Sequence, residues 1–417
     1  MKVFFDDETR VSSAGEVGRS FRATSGAFGQ RRSKDVTAGG RSRGDPTDDA
    51  GKSAKGRYGL AGDPTDDAGK SAKGRYGLAG PPVGPGRATV AAHDLPQIQP
   101  LGVGPDRELG QGMSNPRRIV PGTTYLVTRR TIRRYFLMNP DKRRLLLAFY
   151  WYVTAVLAAE FGIEVHAAQM LSNHLHEVLT DTRGRLPDFL SQRNRLLANA
   201  IKVLRGWPGE VFSREGTSVV ALYGEDAVLQ KIGYTLANAV DAGLVASPED
   251  WPGVTLAATD IGTRTIRVSR PELYIDAKNT RWPEAAEISI TVPRSLEASS
   301  GHEGARERIV SAVNAAVEKA RIVARKAGKF VRSLEWIFAV PHTTRASSFE
   351  KVGARNPSFA AGGNVEMAVR ALKERAAFLG AYREAFAKMR SAVRDVFFPE
   401  GTWRLFRELG VNVISTT

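Results

Sequence analysis

The 417-residue chain contains no cysteine, which removes disulfides, thiolate zinc centres and a cysteine nucleophile from consideration and fits a reducing cytoplasm. Long hydrophobic runs are missing as well. The most apolar stretch, Leu145 to Ala159 (LLLAFYWYVTAVLAA), includes Thr154, Tyr150 and Tyr152 and runs into Glu160. It falls short of the roughly 20 residues that cross a bilayer, so a buried helix covering one face of a sheet is expected instead. The opening MKVFFDDETR places acids where a signal peptide would continue its apolar run, and no secretion signal is expected. Aromatic and aliphatic residues are scarce up to about residue 116, where Gly, Ser, Arg, Asp and Pro dominate. Such a segment buries too little apolar surface to offset the entropy of ordering it, and it is expected to be disordered.

Within that segment GDPTDDAGKSAKGRYGLA stands at Gly44 to Ala61 and again, unchanged, at Gly62 to Ala79. Two polar copies point to duplicated coding DNA, because a solenoid needs an apolar face and at least three units. The Ala-Gly-Lys-Ser in each copy lacks the first glycine and the preceding strand of a phosphate loop.

What the chain has in excess is positive charge: 60 Lys and Arg against 44 Asp and Glu, a net charge of +16 and a pI near 10.1. Basic side chains bind polyanions by releasing counterions from phosphates, so nucleic acid is the expected partner. With 42% hydrophobic residues, the remainder of the chain can fill a sizeable core.

From residue 117 the pattern becomes that of a folded domain of strands and helices. Thr123 to Thr131 alternates as a first strand. Arg129, Arg130, Arg133 and Arg134 lie at and just past its end, either a phosphate-binding cluster or a solvated strand end. Asn139-Pro140-Asp141 reads as a helix start with Asn139 as cap. Ile163 to Gln169 and His174 to Thr180 read as adjacent strands joined near Ser172-Asn173. Arg185 to Arg205 reads as an amphipathic helix whose Arg193, Arg195, Lys202 and Arg205, with Trp207 behind them, suggest a groove for DNA; an ordinary amphipathic helix is the plainer alternative. A strand at Thr217 to Tyr223 precedes a helix that Glu225-Asp226 opens and Gly243 ends. Beyond Trp251, short strands are expected at Thr265 to Ile275 and Ile288 to Val292, then helices over Arg306 to Lys326 and Val365 to Val396, a mainly helical extension over 256–417.

The chemistry centres on SNHLH at Ser172 to His176. On a strand, His174 and His176 project from one face while Leu175 points into the core, a ready pair of metal ligands. Six histidines give a His-x-His by chance about one time in ten, so the motif alone is weak; paired histidines on a strand also serve as hydrogen-bonded structural groups. Tyr234 and Asn238, four apart on the later helix, would present a phenol and an amide together to a metal held by the strand.

The order of these elements, SNHLH ending an apolar strand, then Tyr-x-x-x-Asn on a helix, then DAGLVASPEDWPG, resembles the single-tyrosine HUH transposases, especially the REP-associated tyrosine transposases. The resemblance covers about Pro121 to Val254 and implies an α+β fold, an antiparallel sheet with packed helices, as an HUH, ferredoxin-like nuclease core over 117–255. Glu177 departs from it, standing where relatives carry an aliphatic residue; either the strand end is exposed there or the packing differs. The resemblance further implies that His174, His176 and Asn238 hold a divalent Mg²⁺ or Mn²⁺ and that Tyr234 is the nucleophile. It implies transesterification of single-stranded or hairpin DNA through a 5′-phosphotyrosine, with no nucleotide cofactor, by a monomer or by a homodimer that exchanges the Tyr helix. A DNA-associated protein of this kind is expected in the cytoplasm with the nucleoid. Two other classes stay open: a domesticated DNA-binding protein without catalysis, and a barrel hydrolase drawing further ligands from His302 or from His342, which follows the strand-like IFAVP.

Overall fold

The computed structural model describes residues 116–213, 216–347 and 357–414. The disorder and the tandem duplication expected before residue 117 lie outside these residues, apart from residue 116 itself. In chain order the elements are β1 (Thr123–Arg130), α1 (Leu145–Phe161), β2 (Ile163–Met170), β3 (His174–Asp181), α2 (Leu186–Arg205), β4 (Ser218–Leu222) and α3 (Glu225–Asp241). They continue with β5 (Thr265–Ser269), β6 (Ala285–Ser289), α4 (Arg294–Lys326), α5 (Leu334–Ala339), β7 (Phe359–Ala360), α6 (Val365–Arg390), β8 (Phe397–Phe398), α7 (Arg404–Leu409) and β9 (Asn412–Val413).

The protein is α+β, with a five-stranded sheet in the order β2-β3-β1-β4-β7. Its first four strands pair antiparallel, as expected, but β7 joins β4 in parallel and makes the sheet mixed. β7 reaches that edge because the chain turns sharply at Gly362 (φ 63°), where a Cβ would collide with the backbone of Asp226 and Ala227 at the start of α3. Only glycine tolerates both the positive φ and that approach.

Helices cover both faces. α1 lies between the sheet, through a Tyr150–Glu177 hydrogen bond, and the β5–β6 hairpin, where Tyr152 bonds the Pro283 carbonyl and stacks near Trp282. A helix enclosed on opposite sides is apolar all round, and Phe149, Tyr150, Trp151, Tyr152 and Val153 are all buried. That position accounts for the apolar run without a bilayer; among the described residues no helix is long and apolar enough to cross a membrane. α2 packs beside α1 on the same face, and its N-terminal end is held by Asp181, whose carboxylate accepts from the backbone N–H groups of Arg183, Arg185 and Leu186. α3 occupies the opposite face and is covered by α4. Gly233 lets the two helices close, since a Cβ there would stand 3.1 Å from both the Ala312 carbonyl and the Ala316 side chain.

Two expectations need correction. Asn139 does not cap α1: its amide donates to the Ile337 and Val340 carbonyls, and Asp141 accepts from the N–H groups of Leu145 and Leu146 instead. The IFAVP run falls in and just after a short helix, α5, capped by Ser333, whose hydroxyl accepts from the Trp336 N–H. For Glu177, the packing differs and the strand end is not exposed. Its side chain is fully buried against α1 and α2, accepting from Tyr150 at 2.6 Å and from both terminal nitrogens of Arg193.

Candidate active site on strand β3 and helix α3

On β3, His174, His176, Val178 and Thr180 face α3, while Leu175, Glu177 and Leu179 face α1 and α2. The alternation follows from the two-residue period of a strand. Cross-strand partners on the same face are Arg130 opposite His174, and Thr128 and Gln169 opposite His176.

Each imidazole is oriented through its Nδ1. His174 Nδ1 lies 2.6 Å from Asn173 Oδ1, and His176 Nδ1 lies 2.8 Å from Thr128 Oγ1. An Nδ1–H donated to an amide oxygen leaves the Nε2 lone pair of His174 directed outward, the tautomer that metal-binding histidines use. His174 Nε2 then meets Asn238 Oδ1 at 3.4 Å, and His176 Nε2 meets the Tyr234 hydroxyl at 3.4 Å. The two rings are 4.7 Å apart at 78°, and Tyr234 stands edge-on to His176 at 5.0 Å. The phenol thus reaches a histidine of its own chain.

Gln169 sets the phase of α3. Its amide accepts from the Ala239 N–H at 2.9 Å and donates to the Leu236 carbonyl at 3.1 Å. This grip, one residue from Asn238 on a strand position directly opposite His176, decides which face of the helix looks at the histidines. Sequence reasoning missed Gln169; the one signal was an amide in the mostly apolar second half of the strand, AAQM.

The surrounding charge is positive. Burial, followed by the charges of Arg130 and Arg134, brings the His174 imidazole down to about 3. Burial likewise holds His176 well below the usual imidazole range, aided by His174, Arg130 and Lys231. Lys231, three residues before Tyr234 on α3, also places its ammonium 5.4 Å from the Tyr234 ring centre; sequence reasoning missed it. Both histidines are therefore neutral at pH 7, in a site whose nearest charges are cations.

The donor set fits a divalent ion. With His174 Nδ1 protonated, Nε2 and the Asn238 oxygen are both acceptors and repel at 3.4 Å unless a cation stands between them. The spacing suits two ligands each about 2.1 Å from one ion. Among the described residues no three His, Cys, Asp or Glu side chains cluster as a metal site, so the third protein donor would be the amide.

The basic residues expected to bind DNA separate. Arg130 is on the site's face; Arg133 and Arg134 follow it in the turn after β1. Arg129 points the other way, over the Phe212 ring at 4.9 Å. Arg193 is withdrawn from any phosphate, being fully buried in its pair with Glu177. Arg205 donates to the carbonyls of Leu137 and Asn139. Arg195 is exposed and Lys202 half-buried, but α2 lies on the face opposite the histidines, so the groove expected along it does not lead to the site. His302 bonds Glu297 and the Gly262 carbonyl, and His342 packs on Trp207, so both are engaged elsewhere and not with the paired histidines in the contacts described.

No family model matches the chain, and no curated protein is significantly similar to it. Among solved structures, one of a REP-associated tyrosine transposase bound to a REP hairpin is similar over 34% of this chain and 81% of its own, at 23% identity and a TM-score of 0.27.

Proposed function

We propose that the chain is a DNA strand transferase that nicks and rejoins single-stranded or hairpin DNA through Tyr234. The observation that carries this reading is the meeting, in one chain, of a partly exposed phenol, two neutral imidazoles and an amide oxygen, two pairs of them at 3.4 Å. His174, His176 and Asn238 would hold Mg²⁺ or Mn²⁺. When bound, such an ion withdraws charge from a coordinated phosphate and makes phosphorus more electrophilic.

This chain's own residues do the rest. Asn173 and Thr128 fix the ring orientations, Gln169 fixes the helix, and Arg130, Arg134 and Lys231 supply the field that draws a phosphodiester in. The Tyr234 oxygen forms a bond to phosphorus as the bond to the 3′ oxygen breaks. The phenol's proton is lost, the departing 3′ oxygen gains one from solvent, and a 5′-phosphotyrosine remains. The number of phosphoester bonds is conserved, so a second 3′-hydroxyl reverses the step and joins a strand.

The test is incubation with Mn²⁺ and single-stranded hairpin DNA from the gene's own flanks. Wild type should form a covalent protein–DNA adduct that Tyr234→Phe cannot form. Salt-sensitive binding without scission under any metal would mark a non-catalytic DNA-binding protein instead.

A further inference from the structure

After β1 the chain reverses through two consecutive residues in the left-handed region, Arg133 at φ 47° and Arg134 at φ 58°. Such a conformation is costly for residues with a Cβ, and it is held from the β2–β3 turn. Thr131 donates its N–H to the Asn173 carbonyl at 2.9 Å and its hydroxyl to the Tyr135 carbonyl at 2.6 Å. Tyr135 is thereby fixed close to Asn173, the residue that orients His174. Its ring stands 5.0 Å from that of Trp207, which follows the C-terminal end of α2 and is steadied by donating to the Glu210 carbonyl at 3.0 Å. His342 closes edge-on against Trp207 at 6.4 Å, and the Arg345 guanidinium lies 4.3 Å over the Tyr135 ring, donating to its hydroxyl. All three rings are half-buried, and Arg345 and Arg133 are exposed.

We propose that Tyr135, Trp207, His342 and Arg345 form a stacking subsite for an unpaired nucleobase of the DNA strand whose phosphate lies at His174 and Tyr234; the inference rests on the DNA-processing reading above. A nucleobase offers a flat π face beside a negative phosphate, and the cluster offers rings, a planar guanidinium and neighbouring arginines within one reach. The ligand must be unpaired, because a base within a duplex has both faces covered by its neighbours. The link to the reaction is short: Tyr135 connects to His174 through two residues, Thr131, whose hydroxyl donates to the Tyr135 carbonyl, and Asn173, whose carbonyl accepts from the Thr131 N–H. A base held here would fix the register of the strand across the site.

The test compares affinity of the full chain, without metal, for a short single-stranded DNA and for the same backbone carrying abasic sites. Stacking of one base predicts that wild type binds the intact strand about 5- to 150-fold more tightly. Trp207→Ala should lose most of that preference while binding abasic DNA as wild type does, Trp207→Phe should retain it, and Arg345→Ala should weaken binding of the intact strand more than that of the abasic one. Equal losses on both DNAs, or no loss on either, overturn the subsite. If wild type binds neither strand, the DNA reading fails and the subsite with it. If wild type binds and forms the tyrosine adduct while the variants keep full base preference, the subsite alone fails.

Discussion

Replacing Glu177 with Ala would leave the Arg193 guanidinium uncompensated in a site where both side chains have no solvent exposure. The carboxylate accepts from Tyr150 at 2.6 Å and from Arg193 NH2 at 2.6 Å, with a second contact from NH1, and the guanidinium also lies 4.7 Å over the Phe189 ring. Removing one partner of such a pair costs about 3–5 kcal/mol, because the remaining charge keeps its desolvation penalty and loses its compensation. The orphaned Tyr150 hydroxyl adds about 1–3 kcal/mol. Against a total stability of about 5–15 kcal/mol, that is a large fraction. An all-apolar replacement, Glu177→Leu with Arg193→Met and Tyr150→Phe, leaves no buried polar group behind and should cost far less than the three single changes together. The assay is urea unfolding of each variant followed by tryptophan fluorescence. A Glu177→Ala loss below about 1 kcal/mol, or strict additivity of the singles, would refute the reasoning, since both would mean that the pair is neither dry nor coupled.

Two further outcomes follow from the same geometry. Gln169→Ala should lower adduct formation more than it lowers stability, because α3 stays packed on α4 while losing the grip beside Asn238; the comparison is adduct yield against unfolding midpoint, and equal losses would make Gln169 merely structural. His166 is fully buried between Thr180 and Thr291, and burial depresses its imidazole from 6.5 to about 4. The unfolded chain therefore binds the extra proton first. Its contribution is intact above about pH 6.5 and declines by about 1.4 kcal/mol per unit as pH falls toward 4; unfolding midpoints that stay flat across that window would contradict its neutral burial.

Much of the sheet and its helices was legible because long periodic segments bury one face: β1 to β4 and α1 to α3 fall where alternation and helical spacing put them. IFAVP was not legible, since a short apolar run carries no period that separates helix from strand. The partner of Glu177 was hidden for a different reason: Arg193 lies on an amphipathic helix where Arg195, two positions on, is exposed, and only packing picks out the buried one. Asn139 has the chemistry of a cap, and it lost that role to Asp141 because carbonyls from a segment about 200 residues downstream compete for its amide. β7 contributes two residues to the sheet, too few to leave a pattern. In the candidate site, His174, His176, Tyr234 and Asn238 stood out through spacing, while Gln169, Thr128, Asn173 and Lys231 act through contacts between elements that spacing does not encode.

The most direct measurement is mass spectrometry of the peptide that carries DNA after reaction with Mn²⁺ and hairpin substrate. The account predicts a 5′-phosphorylated nucleotide on Tyr234, lost when His176 is replaced by Ala. A modified residue elsewhere, or scission that leaves no DNA on the protein, would contradict it.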